Sequence, residues 1–295
     1  MGSDYDHLMK RKGFFPYQMG YLTDWMVKLA KDELEESEET RSQGISELRK
    51  VIAKHKELNV WIDDAYLLQL LRARKFDVKR AGELLLRFYA LKRDYPEIYP
   101  PEIDLESIKT AQEEASCCGA FPYRDKNGSI ILFYSIGKWD PDKIPVPVAI
   151  SVATFMLLQC IEDPATQVCG LRLIIDAKNV FLKHMRALTP RYLQLFGRGL
   201  RNSLPIRFAG IHITNESIFF SYIFNILKLF LSEKIKKRVH FHGKDMKHLH
   251  RHIPKEILPS EFDGDNNTYQ ASEWVKKEMY SYLEKFGELH RKGYL

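Results

Sequence analysis

The spacing of apolar residues in this chain changes near residue 115, and the change divides it into two kinds of structure. Between 45 and 95 apolar positions recur at helical intervals. Ile45, Leu48, Val51 and Ile52 form one stripe, Leu67, Leu68, Leu70 and Leu71 a second, and Ala81, Leu84, Leu85, Phe88 and Leu91 a third. Asp63 and Asp64 offer an N-cap. Tyr95-Pro96 and Tyr99-Pro100-Pro101 close the segment, because proline lacks the amide a helix needs and disfavours helix in the residue before it. Ahead of this unit, Tyr21, Trp25, Leu29 and Leu34 predict an amphipathic helix from about Leu22.

From about 115 short apolar runs alternate with longer ones. Ser129–Tyr134 follows the Lys126-Asn127-Gly128 turn and reads as a strand, as do Gly170–Asp176, Phe208–Ile213 and Val239–Gly243. Between them Val148–Cys160, Pro190–Leu200 and Ile218–Leu231 read as helices, the last apolar nearly all round. A final amphipathic helix is expected over about Ala271–His290. Strands separated by helices imply an α/β fold with helical crossovers. The chain therefore divides into an acidic segment at 1–44, a helical unit at 45–101, an α/β domain at 102–270 and a C-terminal helix at 271–295. There is no repeat and no low-complexity stretch.

Composition narrows the class. The chain has 295 residues, 45% hydrophobic and 28% charged, which fits a folded soluble protein. The longest uncharged run, Ile144 to Ile161, opens with Pro145 and Pro147 and leaves about fourteen helix-compatible positions, short of the ~20 a bilayer span needs. It reads as a buried core helix. The first residues are polar, without a signal-peptide run, and Asp6 stands where an N-myristoylation signal wants Ser or Thr. Cysteines occur at 117, 118, 160 and 169 with no Cys-x-x-Cys pair, so a reducing, cytoplasmic setting is expected rather than a disulfide scaffold or cysteine-zinc site.

Catalytic signatures are missing. The sequence holds no Gly-x-Ser-x-Gly elbow, no Gly-x-Gly-x-x-Gly and no phosphate-binding Gly-x4-Gly-Lys-Ser/Thr; Gly197-x-Gly199 is a fragment inside a helical pattern. Histidines gather at 240, 242, 248, 250 and 252. His240 and His242 share a strand face, but no Asp, Glu or Cys completes a metal set, and no metal is expected. Asp176, at a strand end, reads as the cap of the next turn, with a catalytic carboxylate as the alternative. An enzyme is not indicated.

The charge is placed rather than spread. Lys and Arg exceed Asp and Glu by 45 to 39, a net +6. Between Lys228 and Glu256 nine bases face three acids, an excess as large as that of the whole chain. The apolar run Ile218–Leu227 leads straight into this cluster. Such a sequence suits an anionic bilayer: apolar side chains enter the interface, and each base near it adds ~1 kcal/mol. A core helix followed by a solvated charged face is the alternative. Nucleic acid fits less well, because the aromatics precede the bases in a block instead of interleaving with them.

Four blocks resemble the CRAL-TRIO lipid-binding family, in the branch of alpha-tocopherol transfer protein, cellular retinaldehyde-binding protein and the clavesins. They are Leu70–Asp77, Trp139-Asp140-Pro141, Gly210–Glu216 and Phe230–Gly243, within a resemblance running from about 30 to 265. The resemblance implies an N-terminal helical subdomain and a CRAL-TRIO domain whose mixed sheet floors an apolar pocket. A mobile helix over 217–231 would close that pocket, with Phe220, Ile223 and Ile226 facing the membrane. Phosphoinositide contacts of a relative map onto Arg74, Arg207, Lys234 and Arg238; Arg207 replaces a lysine, and a further arginine falls at Ala209. A helix-surface ion pair of Arg74 with Asp77 or a neighbouring acid is the alternative for that residue. The pocket wall maps onto Ile150, Ala153, Leu157, Leu171, Leu200, Leu204, Phe208 and Ile211. Serines in the relative become Ala153 and Leu157, a drier wall that disfavours a ligand with a buried hydroxyl. The resemblance thus implies a monomeric cytoplasmic carrier, without cofactor or metal, that exchanges one tocopherol-, retinoid- or carotenoid-like lipid at endosomal or plasma membranes bearing phosphoinositides. A clavesin-type trafficking protein that uses the pocket as a lipid sensor is the second implication.

Overall fold

The computed structural model describes residues 2–99 and 117–294; the expected boundary at 101/102 lies outside the described residues. Five helices come first: α1 (Gly2–Arg11), α2 (Asp24–Leu34), α3 (Glu38–Ile52), α4 (Asp64–Ala73) and α5 (Val78–Asp94). Their starts follow from capping. Ser37 and Thr40 exchange side-chain and backbone hydrogen bonds at α3, while Asp63 and Asp77 accept the Tyr66 and Arg80 amides at 3.0 Å. The apolar stripes then pack together, with Leu48, Leu67, Leu71, Leu84 and Leu85 in one core.

The sheet has five strands in the order β1 (Cys118–Ala120), β2 (Ile130–Ser135), β3 (Leu171–Asp176), β4 (Phe208–Thr214) and β5 (Val239–Phe241). β1 pairs antiparallel with β2, and all later pairs are parallel. Each parallel step moves one strand in the same direction. Because such crossovers are right-handed, their helices collect on one face. Those helices are α6 (Val146–Cys160), α7 (Pro190–Arg198) and α8 (Ile218–Leu227). The opposite face, with Ile131, Phe133 and Ile174, is covered by Met246, Leu249, Ile257 and Phe262 and by Met9 and Phe14.

The helical unit shares its core with the α/β part. Leu67, Leu70 and Phe88 belong to the same cluster as Phe155, Leu157 and Leu158 of α6. Arg72 reinforces the join, reaching Glu36 on one side and Gln167 on the other.

The C-terminal segment departs from one continuous helix. After Ala271–Trp274 it widens into a π turn over Val275–Met279, tightens at Tyr280–Tyr282 and resumes as α9 (Leu283–Arg291). Within this stretch the Glu278 carbonyl accepts from Gln159 Nε2 and Ser281 Oγ. The end of α9 is held by buried Lys92, whose ammonium donates to the carbonyls of Leu289 (2.9 Å), His290 (3.0 Å) and Lys292. Among the described residues no helix is long and apolar enough to cross a membrane.

Candidate ligand cavity and basic cleft

Strand register decides what faces the crossover helices. Leu173 stands opposite Ile211, Ile211 opposite Val239, and Tyr134 opposite Ile175. These five side chains floor a cavity of about 200 Å³. α6 supplies Val146, Ala149, Ile150 and Ala153 to the wall, α7 supplies Tyr192, Leu193 and Phe196, and Leu200 follows. α8 closes it with Phe220, Ile223, Phe224 and Leu227. The wall is almost wholly carbon, and the Tyr134 hydroxyl that borders it is already donating to the Ala153 carbonyl at 3.1 Å. Such a cavity suits an apolar molecule.

Of the eight positions expected in the wall, Ile150, Ala153, Leu200 and Ile211 line the cavity. Leu157, Leu171, Leu204 and Phe208 are buried in the adjoining core. The reason is axial position. Leu171 and Phe208 pair with each other at the N-terminal edge of the parallel strands, whereas the cavity follows their C-terminal halves. Leu157 lies one helical turn beyond Ala153 toward the same edge.

The closing helix is bounded by two serine caps. Ser217 Oγ accepts the Phe220 amide and donates to the Val180 carbonyl at 3.1 Å; Ser232 Oγ accepts the Ile235 amide at 3.3 Å. The helix ends at Leu227, four residues before the end expected from the apolar run. Its facing corrects the resemblance. Phe220 and Ile223 are only 3% and 4% exposed and point into the cavity, and Ile226 is half-buried against the same cluster. Covering a cavity takes the i, i+3, i+4, i+7 stripe, here 220, 223, 224 and 227. The outward apolar residues are Ile218 (81% exposed), Tyr222 (55%) and, beyond the helix end, Leu229 (70%). Gly197, in sequence only part of a glycine pair inside a helical pattern, has a steric role: a Cβ there would stand 2.5 Å from that of Phe230, so only glycine lets the chain after α8 settle on α7.

α8 begins beyond the C-terminal end of β4, and the chain returns to the N-terminal end of β5. There the predicted bases meet. Lys234 is held below the ordinary lysine pKa by burial first and then by Arg238, Arg207, Lys75 and Arg74. Arg238 is lowered by burial and by Arg207. Arg207 and Arg238 directly precede the adjacent strands β4 and β5, and Ala209 is the bulged residue where β4 shifts register against β3. Lys75 is an addition to the expected set. It and Phe76 hold left-handed backbone (φ 54° and 57°) in the turn after α4. Arg74 donates to the Ala73 carbonyl at 3.1 Å, while Asp77 serves as a helix cap instead of its ion-pair partner. A carboxylate reaches the cleft: Glu33 Oε2 lies 3.1 Å from Arg207 Nη2.

The two remaining candidates resolve simply. Asp176 accepts from the Lys178 amide (3.1 Å) and from Asn215 Nδ2 (2.9 Å), capping the turn. His240 and His242 join His212 and His252 on the sheet's other face, with ring centroids 4.8 to 6.5 Å apart. His212 Nδ1 and His242 Nε2 share a hydrogen bond at 3.0 Å. Among the described residues no group of three or more His, Cys, Asp or Glu is arranged to hold a metal ion.

Known proteins match this architecture. The CRAL/TRIO domain family model covers residues 114–264. Alpha-tocopherol transfer protein-like of Mus musculus is 33% identical over 254 residues, 86% of this chain and 74% of its own length. Its Homo sapiens counterpart is 32% identical over 88% of this chain and 76% of its own. Clavesin-2 of Homo sapiens is 33% identical over 85% of this chain and 77% of its own. The crystal structure of Sfh5 shares the fold at a TM-score of 0.55, covering 85% of this chain and 98% of that one with 14% identity. An apolar cavity floored by a mixed sheet, matched by sequence over more than half the chain, makes this protein a member of the CRAL/TRIO domain family.

Proposed function

We propose that this protein is a cytoplasmic carrier that holds one hydrophobic molecule behind α8 and exchanges it at membranes bearing phosphoinositides. The observation that carries this reading is adjacency: an apolar cavity is closed by a helix that is apolar on both faces, and that helix leads within seven residues to a cleft of five bases. The name of the relatives, alpha-tocopherol transfer protein-like, supports transfer of a tocopherol-like lipid as one candidate cargo. The head group docks on Arg74, Arg207, Lys234 and Arg238, with Lys75 beside them. Ile218, Tyr222 and Leu229 enter the interface, and α8 swings away to open the cavity.

No covalent step is needed for this cycle. Guanidinium groups suit the task because they bind phosphate bidentately and stay charged when partly desolvated. Cargo transfer to vesicles containing a phosphatidylinositol bisphosphate tests it. The Lys234→Glu/Arg238→Glu protein should transfer at least about tenfold more slowly than the native chain, since two reversals near an anionic surface remove several kcal/mol of attraction. Equal rates overturn the head-group mechanism. Cargo that stays on the native protein after vesicle contact would instead favour a sensor.

A further inference from the structure

The four cysteines occupy two different settings. Cys160 is buried on α6, donates its S–H to the Leu157 carbonyl at 3.1 Å and is pushed up to about 12 by burial. Cys169 is likewise pushed up to about 11 by burial. Neither borders the cavity. Cys117 and Cys118 both do. Cys118 pairs with Tyr134 in β1 and so shares the cavity face, and Cys117, just before the strand, is half-buried against the cluster of Val146 and Ile150. The pair is not joined as a disulfide.

We propose that Cys117, with Cys118 beside it, is a covalent capture site for lipids carrying an α,β-unsaturated carbonyl group. The inference rests on the cavity being the cargo site. Thiolate is the reactive form of cysteine, and here a hydrogen bond from Cys118 lowers the Cys117 pKa by more than burial raises it, with its own backbone amide and Lys138 adding to the effect. Among the described residues of the wall there is no lysine, arginine, histidine or carboxylate, so no amine competes for the carbonyl as an imine. The cavity holds an apolar chain against one activated sulfur, which replaces a dilute encounter by a positioned one.

The step balances without an oxidant or a leaving group. The Cys117 sulfur bonds to the β-carbon, the alkene electron pair moves to the α-carbon through the enolate, and the proton given up by the thiol ends on the α-carbon. The adduct has the summed mass of protein and lipid. Saturated lipids of the same length bind without reacting.

The test uses the full chain, trans-2-hexadecenal as probe, borohydride to fix adducts, and intact-mass and peptide mass spectrometry. One equivalent on Cys117 is expected, blocked when the protein is first loaded with hexadecanol, and in Cys117→Ser the labelling rate should fall on the order of 10²-fold. Adducts on Cys160, Cys169, lysine or histidine, or a Cys117 adduct that hexadecanol does not block, overturn the proposal. Native mass spectrometry of the hexadecanol complex separates the two levels. Hexadecanol held while the label goes elsewhere removes covalent capture and leaves the carrier standing; hexadecanol not held overturns the carrier reading and this one with it. Should the serine variant not fold, mapping and hexadecanol protection on the native chain decide.

Discussion

Arg72 and Arg74 stand two positions apart at the end of α4 and are used in opposite ways. Arg72 is buried, with Nε and Nη2 on the Glu36 carboxylate at 2.8 and 2.7 Å and Nη1 on Gln167 Oε1 at 2.7 Å. Arg41 completes the set at 2.9 Å from Glu36. Burial alone would raise the Glu36 pKa, but the bonds from Arg72 and Arg41 hold it below the ordinary carboxylate value. Arg74 donates to the Ala73 carbonyl and faces bases. One charge is neutralised by a carboxylate when the chain folds; the other meets a neutral carbonyl. The two arginines are thus told apart by whether the protein itself supplies the counter-ion, and the proposed docking role falls to the one without it.

The largest expected effect tests this division directly. Arg72→Ala leaves Glu36 buried beside a single remaining base and should cost about 3–5 kcal/mol in denaturant unfolding. Arg74→Ala removes one of several like charges and should leave stability within about 0.5 kcal/mol. Equal losses would show that the cleft is structural, and the contrast would collapse.

The stacked histidines extend the comparison to groups kept neutral. His212 is lowered to about 2, chiefly by burial, then by His242, Arg172, His252 and His240. His242 is lowered to about 4 by burial, then by His252, His240 and His248. His252 is lowered by burial, His240, Arg172 and Arg251, and Arg172 itself is paired with Asp125 at 2.6 Å. Because these folded pKa values lie below the unfolded value near 6.5, the unfolded chain takes up more protons as pH falls. Stability is therefore complete above about pH 6.5 and drains away toward pH 4, at up to about 1.4 kcal/mol per pH unit for each of His212 and His242. Unfolding free energies at pH 7 and pH 5 should differ by on the order of 2–4 kcal/mol. A flat profile would mean that the cluster accepts protons without strain.

What the sequence made legible follows the range of its signals. Leu67, Leu70 and Leu71 repeat at the helical period, and Ile174 and Ile175 sit in a run bounded by turn residues, so their elements could be read. β1 is only three residues long, and among the described side chains of α1 Met9 alone is fully buried, which is too little periodicity to read. An all-apolar helix has no polar face to orient it. The resemblance alone sets Phe220 and Ile223 outside, and in the structure they line the cavity. Residues 74, 207, 234 and 238 are brought together by strand register and crossover, which no local pattern reports, and it was the resemblance that joined them. His212 escaped notice for the same reason, since only the pairing of β4 with β5 sets it opposite His240.

The smallest effect sharpens the comparison most, because it concerns a carboxylate that reaches into the cleft. Glu33 comes from α2 in the acidic first segment and lies 3.1 Å from Arg207, with its side chain half exposed. An exposed pair of this kind contributes about 0–1 kcal/mol, so Glu33→Gln should leave thermal unfolding unchanged. A head-group phosphate arriving at Arg207 must nevertheless displace that carboxylate, and Glu33 also opposes the charge of Arg238. Removing it should raise affinity for phosphoinositide vesicles by up to about fivefold, corresponding to the same 0–1 kcal/mol, and the gain should shrink as salt screens the pair. If affinity falls instead, Glu33 orients Arg207 for its ligand, and the cleft resembles the Arg72 site, with its counter-ion built in.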